Sequence, residues 1–177
     1  MKALTHLRML LLMALLTAQA TIGSAQDWMA HDGAPLKYFP PSMTEALNSG
    51  VPMVLELEFA IADTVLLAPR KRNKVMTSFK LSHHALSSRY LVNINALQRP
   101  TMFASINALV NFLNAEAQLA YERYCSSNAD QMEQEMASCE FRLRLNKNRL
   151  PGPLRLMAYL SGDWYLDSGW RSWALEN

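Results

Sequence analysis

Glu56 and Glu58 stand two residues apart in the run Met53-Val-Leu-Glu-Leu-Glu-Phe-Ala-Ile-Ala62. On an extended strand this spacing turns both carboxylates to one face, roughly 7 Å apart, a separation that suits paired-carboxylate chemistry on a glycosidic bond. A solvated face with Lys or Arg opposite accounts for the same pair more simply and is the preferred reading. His83 and His84 are adjacent, so on a strand they point to opposite faces and do not chelate one ion together. One packed ring and one exposed ring are expected there. The basic run Arg70-Lys71-Arg72-Asn73-Lys74 would meet phosphate or anionic lipid from the tip of a loop. Otherwise it is a solvated turn, paired with Asp130, Glu133 and Glu135. Tyr159, Trp164, Tyr165, Trp170 and Trp173 have the faces to stack on sugar rings, yet Trp164, Leu166 and Trp170 share strand parity and read as core. Trp173 is then the candidate surface aromatic, and with Arg70, Lys71, Arg72 and Lys74 it makes up the candidate binding surface. No nucleophile elbow, phosphate-binding glycine loop or zinc-helix motif occurs in the chain. No catalytic, cofactor-binding or metal-ligating residue is assigned.

The two cysteines, Cys125 and Cys139, bear on compartment. An even pair at this separation reads as a disulfide in an oxidising space, closing a loop that contributes on the order of 3 kcal/mol in the chain-entropy account. None of the four histidines is near them in sequence, so a metal site is not expected. The amino terminus supplies the export route. Lys2 and Arg8 precede the apolar run Met9 to Leu16, and the small residues Gly23-Ser24-Ala25 precede polar Gln26-Asp27. This is the layout of a secretory signal peptide over residues 1–25, with cleavage after Ala25 or after Ala20. Its apolar core is about half the roughly 20 residues a spanning helix needs. Of seventeen basic residues the leader holds two, and of fifteen acidic residues it holds none. The rest of the chain is therefore balanced in charge, with no whole-domain pull toward nucleic acid.

The elements that must position these side chains are legible from periodicity. Ser42 and Glu45 form a capping box for a short helix over Met43–Ser49, with Gly50 as its stop. Met53–Ala62 alternates as a half-buried strand, and Asp63–Lys74 is expected to be a loop carrying the basic run. Phe79–Ala85 and Tyr90–Asn95 alternate as two more strands around Ser87-Ser88. A helix is expected from Pro100-Thr101, with Met102, Phe103, Ile106, Leu109, Val110 and Leu113 as its apolar stripe. Gln118–Cys125 is read as a strand, Ser126–Ser138 as a polar connection, and Cys139–Leu145 as a further strand. The cysteines would then sit at facing ends of a hairpin. Leu150–Leu154, with two prolines, is a rigid turn before the aromatic tail. This order of elements hints at a two-fold internal repeat, helix first and strands after, over Met43–Asn95 and Met102–Trp173. The expected fold is one mainly-β domain over residues 26–177, an antiparallel sandwich-like structure with two short helices, with α+β as the alternative.

Phe79-Lys-Leu-Ser-His-His-Ala-Leu-Ser-Ser-Arg-Tyr90, Leu150-Pro-Gly-Pro-Leu154, Asp163-Trp164, Ser168, Trp170 and the segment Glu45 to Pro52 resemble the exported proteobacterial family catalogued as domain of unknown function 4390. The resemblance implies a signal peptide and a single domain, and supplies no activity. Genes of that family often neighbour a membrane sensor kinase, which implies an accessory role in the envelope. The functional expectation is an exported, non-enzymatic, periplasmic binding or accessory module of a Gram-negative cell envelope, linked to a membrane sensor kinase or another envelope protein. Peripheral membrane contact is compatible with it. A cell-wall glycan-binding domain using Trp173 and a glycan hydrolase using Glu56 and Glu58 are the alternatives.

Overall fold

The computed structural model describes residues 34–65, 68–94, 99–135, 137–161 and 164–172. The leader and Trp173 lie outside the described residues. The first helix, α1 (Pro41–Asn48), opens on Pro41 after Pro40 at the N-cap, and no side chain caps it. The Ser42–Glu45 box is thus displaced by proline, whose fixed backbone is already suited to a first helical turn. The expected stop holds: Gly50 has φ +84°, and its N–H and that of Val51 close onto Leu47 and Ala46 carbonyls at 2.9 and 3.0 Å.

Five strands form one antiparallel sheet, β1 (Met53–Val65), β2 (Ala68–His84), β3 (Arg89–Ile94), β4 (Thr101–Phe103) and β5 (Ser138–Leu145), in the spatial order β4-β3-β2-β1-β5. β1 lies between β2 and β5. The expected loop at Asp63–Lys74 is instead ladder. β1 runs on to Val65, and the basic run lies in β2, with Lys71 opposite Ala62 and Arg72 opposite Ile61. Polar residues continue a strand when each has a cross-strand partner of opposite charge, which Asp63 provides. One extra residue is absorbed where Phe59 faces Val75 and Ile61 faces Arg72, and Asn73 takes the left-handed conformation there, φ +53°. Ser88 does the same, φ +48°, at the turn into β3.

The largest departure is in the helices. Thr101–Phe103 is edge strand, and helix α2 begins only at Ile106, capped by Ser105, whose Oγ accepts from the Ala108 N–H at 3.2 Å. It then runs 22 residues to Ser127, through the segment read as a strand. Its buried stripe explains this, since Leu109, Val110, Leu113, Ala117, Tyr121 and Tyr124 recur at helical spacing without a break. A short helix, α3 (Ala129–Glu135), follows. Cys125 and Cys139 are bonded as expected, with Cα atoms 5.9 Å apart, but the bridge ties the last turn of α2 to β5 and not two strands to each other. Helix α4 (Gly152–Leu160) occupies the expected turn after Pro151. The second half therefore does not repeat the first.

One face of the sheet meets α2. Met53, Leu55, Leu57, Phe59 and Ile61 of β1, Phe79 and Leu81 of β2, Val92 of β3, and Cys139, Phe141, Leu143 and Leu145 of β5 are buried in one cluster with the α2 stripe. Phe59 stacks on Tyr124 with centroids 5.6 Å apart, and Tyr121 meets Phe141 edge-on at 5.9 Å. The Tyr121 hydroxyl donates to the Cys139 carbonyl at 3.1 Å. Asn114 of α2 holds the segment before α1 by bonding both the N–H and the carbonyl of Leu36, at 3.1 and 2.6 Å. The antiparallel, strand-rich architecture expected from alternation is present in its α+β form, with α2 as the layer over the sheet. Among the described residues no helix is long and apolar enough to cross a membrane.

Candidate binding pocket on the charged sheet face

The alternation that sends Leu55, Leu57 and Phe59 under α2 sends Glu56 and Glu58 to the other face. There they meet Arg144 and Arg142, their partners across the β1–β5 ladder. The Arg144 guanidinium contacts Glu56 at 3.0 Å and Glu58 at 2.6 Å. Asn146 donates a second hydrogen bond to Glu56. The two carboxylates thus share one cation, the arrangement that the solvated-face reading anticipates, although both are more enclosed than that reading requires: their side chains are 10% and 16% exposed.

A broken sixth strand continues this face. Leu145 donates to the Leu166 carbonyl, Ser168 to Leu143, and Phe141 and Arg171 exchange a pair of bonds, all between 2.8 and 2.9 Å. The pairing buries Trp164, Leu166 and Ser168 and turns Asp167 outward. Arg142 forks onto Asp167, with Nε donating to Oδ1 at 2.7 Å and the terminal nitrogen to Oδ2. The Gly169 N–H adds a third donor at 3.0 Å. The guanidinium bond, against an opposing desolvation, holds the Asp167 carboxyl below its ordinary range, and the same bond raises Arg142.

Between these pairs and α4 lies a pocket of about 350 Å³. Glu56, Arg144 and Asp167 contribute its charged wall, Asn146 and Asn148 its neutral donors and acceptors, and Tyr159 and Tyr165 its aromatic rim. Glu58 does not line it. The two tyrosines are 59% and 43% exposed. Asn148 is tied to the rim, since the Tyr159 hydroxyl donates to its side-chain carbonyl at 3.0 Å. Lys147 bonds the Ala158 carbonyl at 2.6 Å while its ammonium lies 5.4 Å from the Tyr159 ring centre.

The sequence-predicted surface is divided. Arg70 forks onto Asp63 with bonds of 3.2 and 2.7 Å, Arg72 reaches the same carboxylate at 3.1 Å, and Lys71 pairs with Glu140. The Arg70 guanidinium holds the Asp63 carboxyl below its usual range. Among the described residues the partners seen are Asp63 and Glu140, where Asp130, Glu133 and Glu135 were expected; the Glu135 side chain lies outside the described ones. Lys71 and Lys74 both approach the ring of Trp170, at 5.0 and 5.7 Å from its centre. His83 packs on Tyr90 with centroids 5.0 Å apart, and His84 is exposed, its Nδ1 against the Ser87 hydroxyl at 2.9 Å. The pocket's polar wall was visible in the outward alternation of Glu140, Arg142, Arg144 and Asn146. Asp167 and Asn148, which complete it, carry no periodic signal, because one lies in an interrupted strand and the other in a 3-10 turn.

A family model described as Domain of unknown function (DUF4390) matches residues 18–174. The chain belongs to this family. The resemblance read from Phe79–Tyr90 and the Leu150–Trp170 residues falls inside that match. No curated protein and no solved structure matches the chain. The matched residues include the five strands, α2 and the residues that line the pocket.

Proposed function

We propose that this DUF4390 chain is an exported binding or accessory module of the bacterial cell envelope that acts without catalysis, in the service of a membrane partner such as a sensor kinase. The observation that carries the reading is the state of the charges around the pocket. Glu56 and Glu58 share Arg144, and Asp167 is forked by Arg142. A general acid or base needs a proton affinity near the working pH, whereas the cation beside Asp167 pushes its carboxyl the other way. What the pocket leaves to a ligand is neutral hydrogen bonding from Asn146 and aromatic surface from Tyr159 and Tyr165. The Cys125–Cys139 bridge supports an oxidising, periplasmic location, and a balanced charge gives nucleic acid no purchase.

The test is chemical crosslinking in intact envelope followed by pull-down, with wild type beside Tyr165→Ala. The reading expects a membrane protein recovered with wild type and depleted at least fivefold with the variant. Equal recovery rules out the pocket as the recognition site. A carboxyl-terminal reporter that stays in the cytosol removes the envelope reading altogether. The two exposed tyrosines also favour one alternative, a glycan-binding role, because flat aromatic faces beside neutral polar groups suit a sugar ring. Retention on purified cell-wall sacculi, weakened by Tyr165→Ala, would support it, and no retention of wild type would end it.

A further inference from the structure

Helix α4 is built the wrong way round for a helix that exists only to cover a core. Of its nine residues, Gly-Pro-Leu-Arg-Leu-Met-Ala-Tyr-Leu, Ala158 alone is fully buried, and half-buried Leu154 packs against the core beside it. These two are four apart and define the inner face. The outer face holds Leu156, Met157 and Leu160, 64%, 57% and 80% exposed, with Tyr159 at its edge. The chain segment that carries that face is of one sign, and the carboxylates nearest to it, Glu56 and Asp167 across the pocket, are already held by Arg144 and Arg142. From 147 to 161 the chain carries Lys147, Arg149 and Arg155 and no acidic residue. Lys147 and Arg155 also brace the helix, bonding the carbonyls of Ala158 and Leu150, so the apolar face and its cations form one fixed unit. The exposed Leu119 of α2 makes the contrast, since Glu116 and Glu122 flank it at helical spacing.

We infer that α4 is a membrane-docking helix, lying in the surface of an anionic phospholipid leaflet with Leu156, Met157 and Leu160 among the acyl chains and its cations at the phosphates. Charge complementarity selects lipid over a second copy of this chain, whose matching patch would present the same positive residues. The geometry suits an interfacial pose. A nine-residue helix is about 14 Å long, too short to span but long enough to lie flat. Tyr159, with its hydroxyl on Asn148 and Lys147 over its ring, sits where interfacial tyrosines sit, between apolar and wet. Docked this way, the module would hold the pocket beside the leaflet, within reach of a membrane protein's exported part. The inference gains its biological setting from the envelope reading but does not need it to be tested.

The experiment is co-sedimentation of the chain, isolated as cells produce it, with vesicles of phosphatidylcholine alone or with 30 mol% phosphatidylglycerol. The variants are Leu156→Asp with Leu160→Asp, Arg149→Glu with Arg155→Glu, and Leu119→Asp as an exposed control. Wild type should bind the anionic vesicles at least tenfold more tightly than the neutral ones, and less tightly as salt rises. The double leucine and double arginine variants should each lose at least tenfold, and Leu119→Asp should bind like wild type. Any amino-terminal leader retained is common to all four proteins and cancels in the comparison. Near-ultraviolet circular dichroism and a cooperative urea transition confirm that the variants are folded. Equal binding by wild type and the leucine variant, or wild-type binding only to native membranes and only when their proteins are intact, would overturn the inference. Failure of the envelope reading shows separately, as a cytosolic reporter with vesicle binding unchanged.

Discussion

β1 presents two different chemistries from one strand. Its odd residues, Leu55, Leu57 and Phe59, are sealed under α2, and its even residues, Glu56 and Glu58, are held by Arg144 on the opposite face. The first face is held by non-directional burial, which tolerates any apolar shape of the right volume. The second is held by charge pairs whose strength depends on geometry and on pH. The same strand therefore separates a face that sets stability from a face free to set specificity.

The comparison breaks most visibly at Phe59. Phe59→Ala removes a ring packed on Tyr121 and Tyr124 and should cost about 3–5 kcal/mol in urea unfolding. Next comes the bridge between α2 and β5. Replacing Cys125 and Cys139 by Ala should cost about 3 kcal/mol, because the unfolded chain regains the loop's freedom. Thiol titration of the denatured, unreduced wild type should find no free sulfhydryl. On the charged face, Arg144→Ala leaves Glu56 and Glu58 without their shared cation and should cost about 1–3 kcal/mol. If it costs as much as Phe59→Ala, the division between the two faces fails.

Much of this division could be read in the chain. Alternation in Met53–Ala62, Phe79–Ala85 and Cys139–Leu145 is clear, and each became a strand, except that the second ends at His84 and Ala85, expected on its inner face, opens an exposed 3-10 turn. The basic run was misplaced because charge alone looks like loop, whereas cross-strand partners such as Asp63 and Glu140 are found only once the ladder is closed. The second half of α2 was misplaced for a different reason. Tyr121, Arg123 and Cys125 mimic a strand parity locally, and only a window that begins at Leu109 exposes the four-residue spacing that continues through Ala117 to Tyr124. Of the pocket, the β5 wall was legible, and the Asp167 and Asn148 contributions depend on a chain reversal that periodicity does not encode.

The acid limb of stability sharpens the comparison further. Asp167 and Asp63 titrate below their ordinary value of 3.8 in the folded chain. An unfolded carboxyl takes its proton first as pH falls, so the contribution of both pairs is complete above 3.8 and is lost as pH drops through the lower folded values. Urea midpoints measured from pH 6 to pH 3 should therefore stay level and then fall. Asp167→Asn should be less stable at pH 6 and show a shallower fall, while a core variant should lower the whole curve without changing its shape.

The smallest effect is expected at the edge of the charged face. Lys74 is exposed and approaches the Trp170 ring at 5.7 Å, and Lys71 lies over the same ring at 5.0 Å. An exposed cation over an aromatic ring contributes about 0.5–1 kcal/mol at most, and here a second lysine covers the same ring. Lys74→Ala should therefore change stability by less than about 0.5 kcal/mol in urea unfolding, with Lys71→Ala costing more because it also strands Glu140. The reverse order would mean that the basic run is organised around Trp170 and not around the carboxylates, and that this face is held by its aromatic ring where the β1–β5 ladder beside it is held by charge.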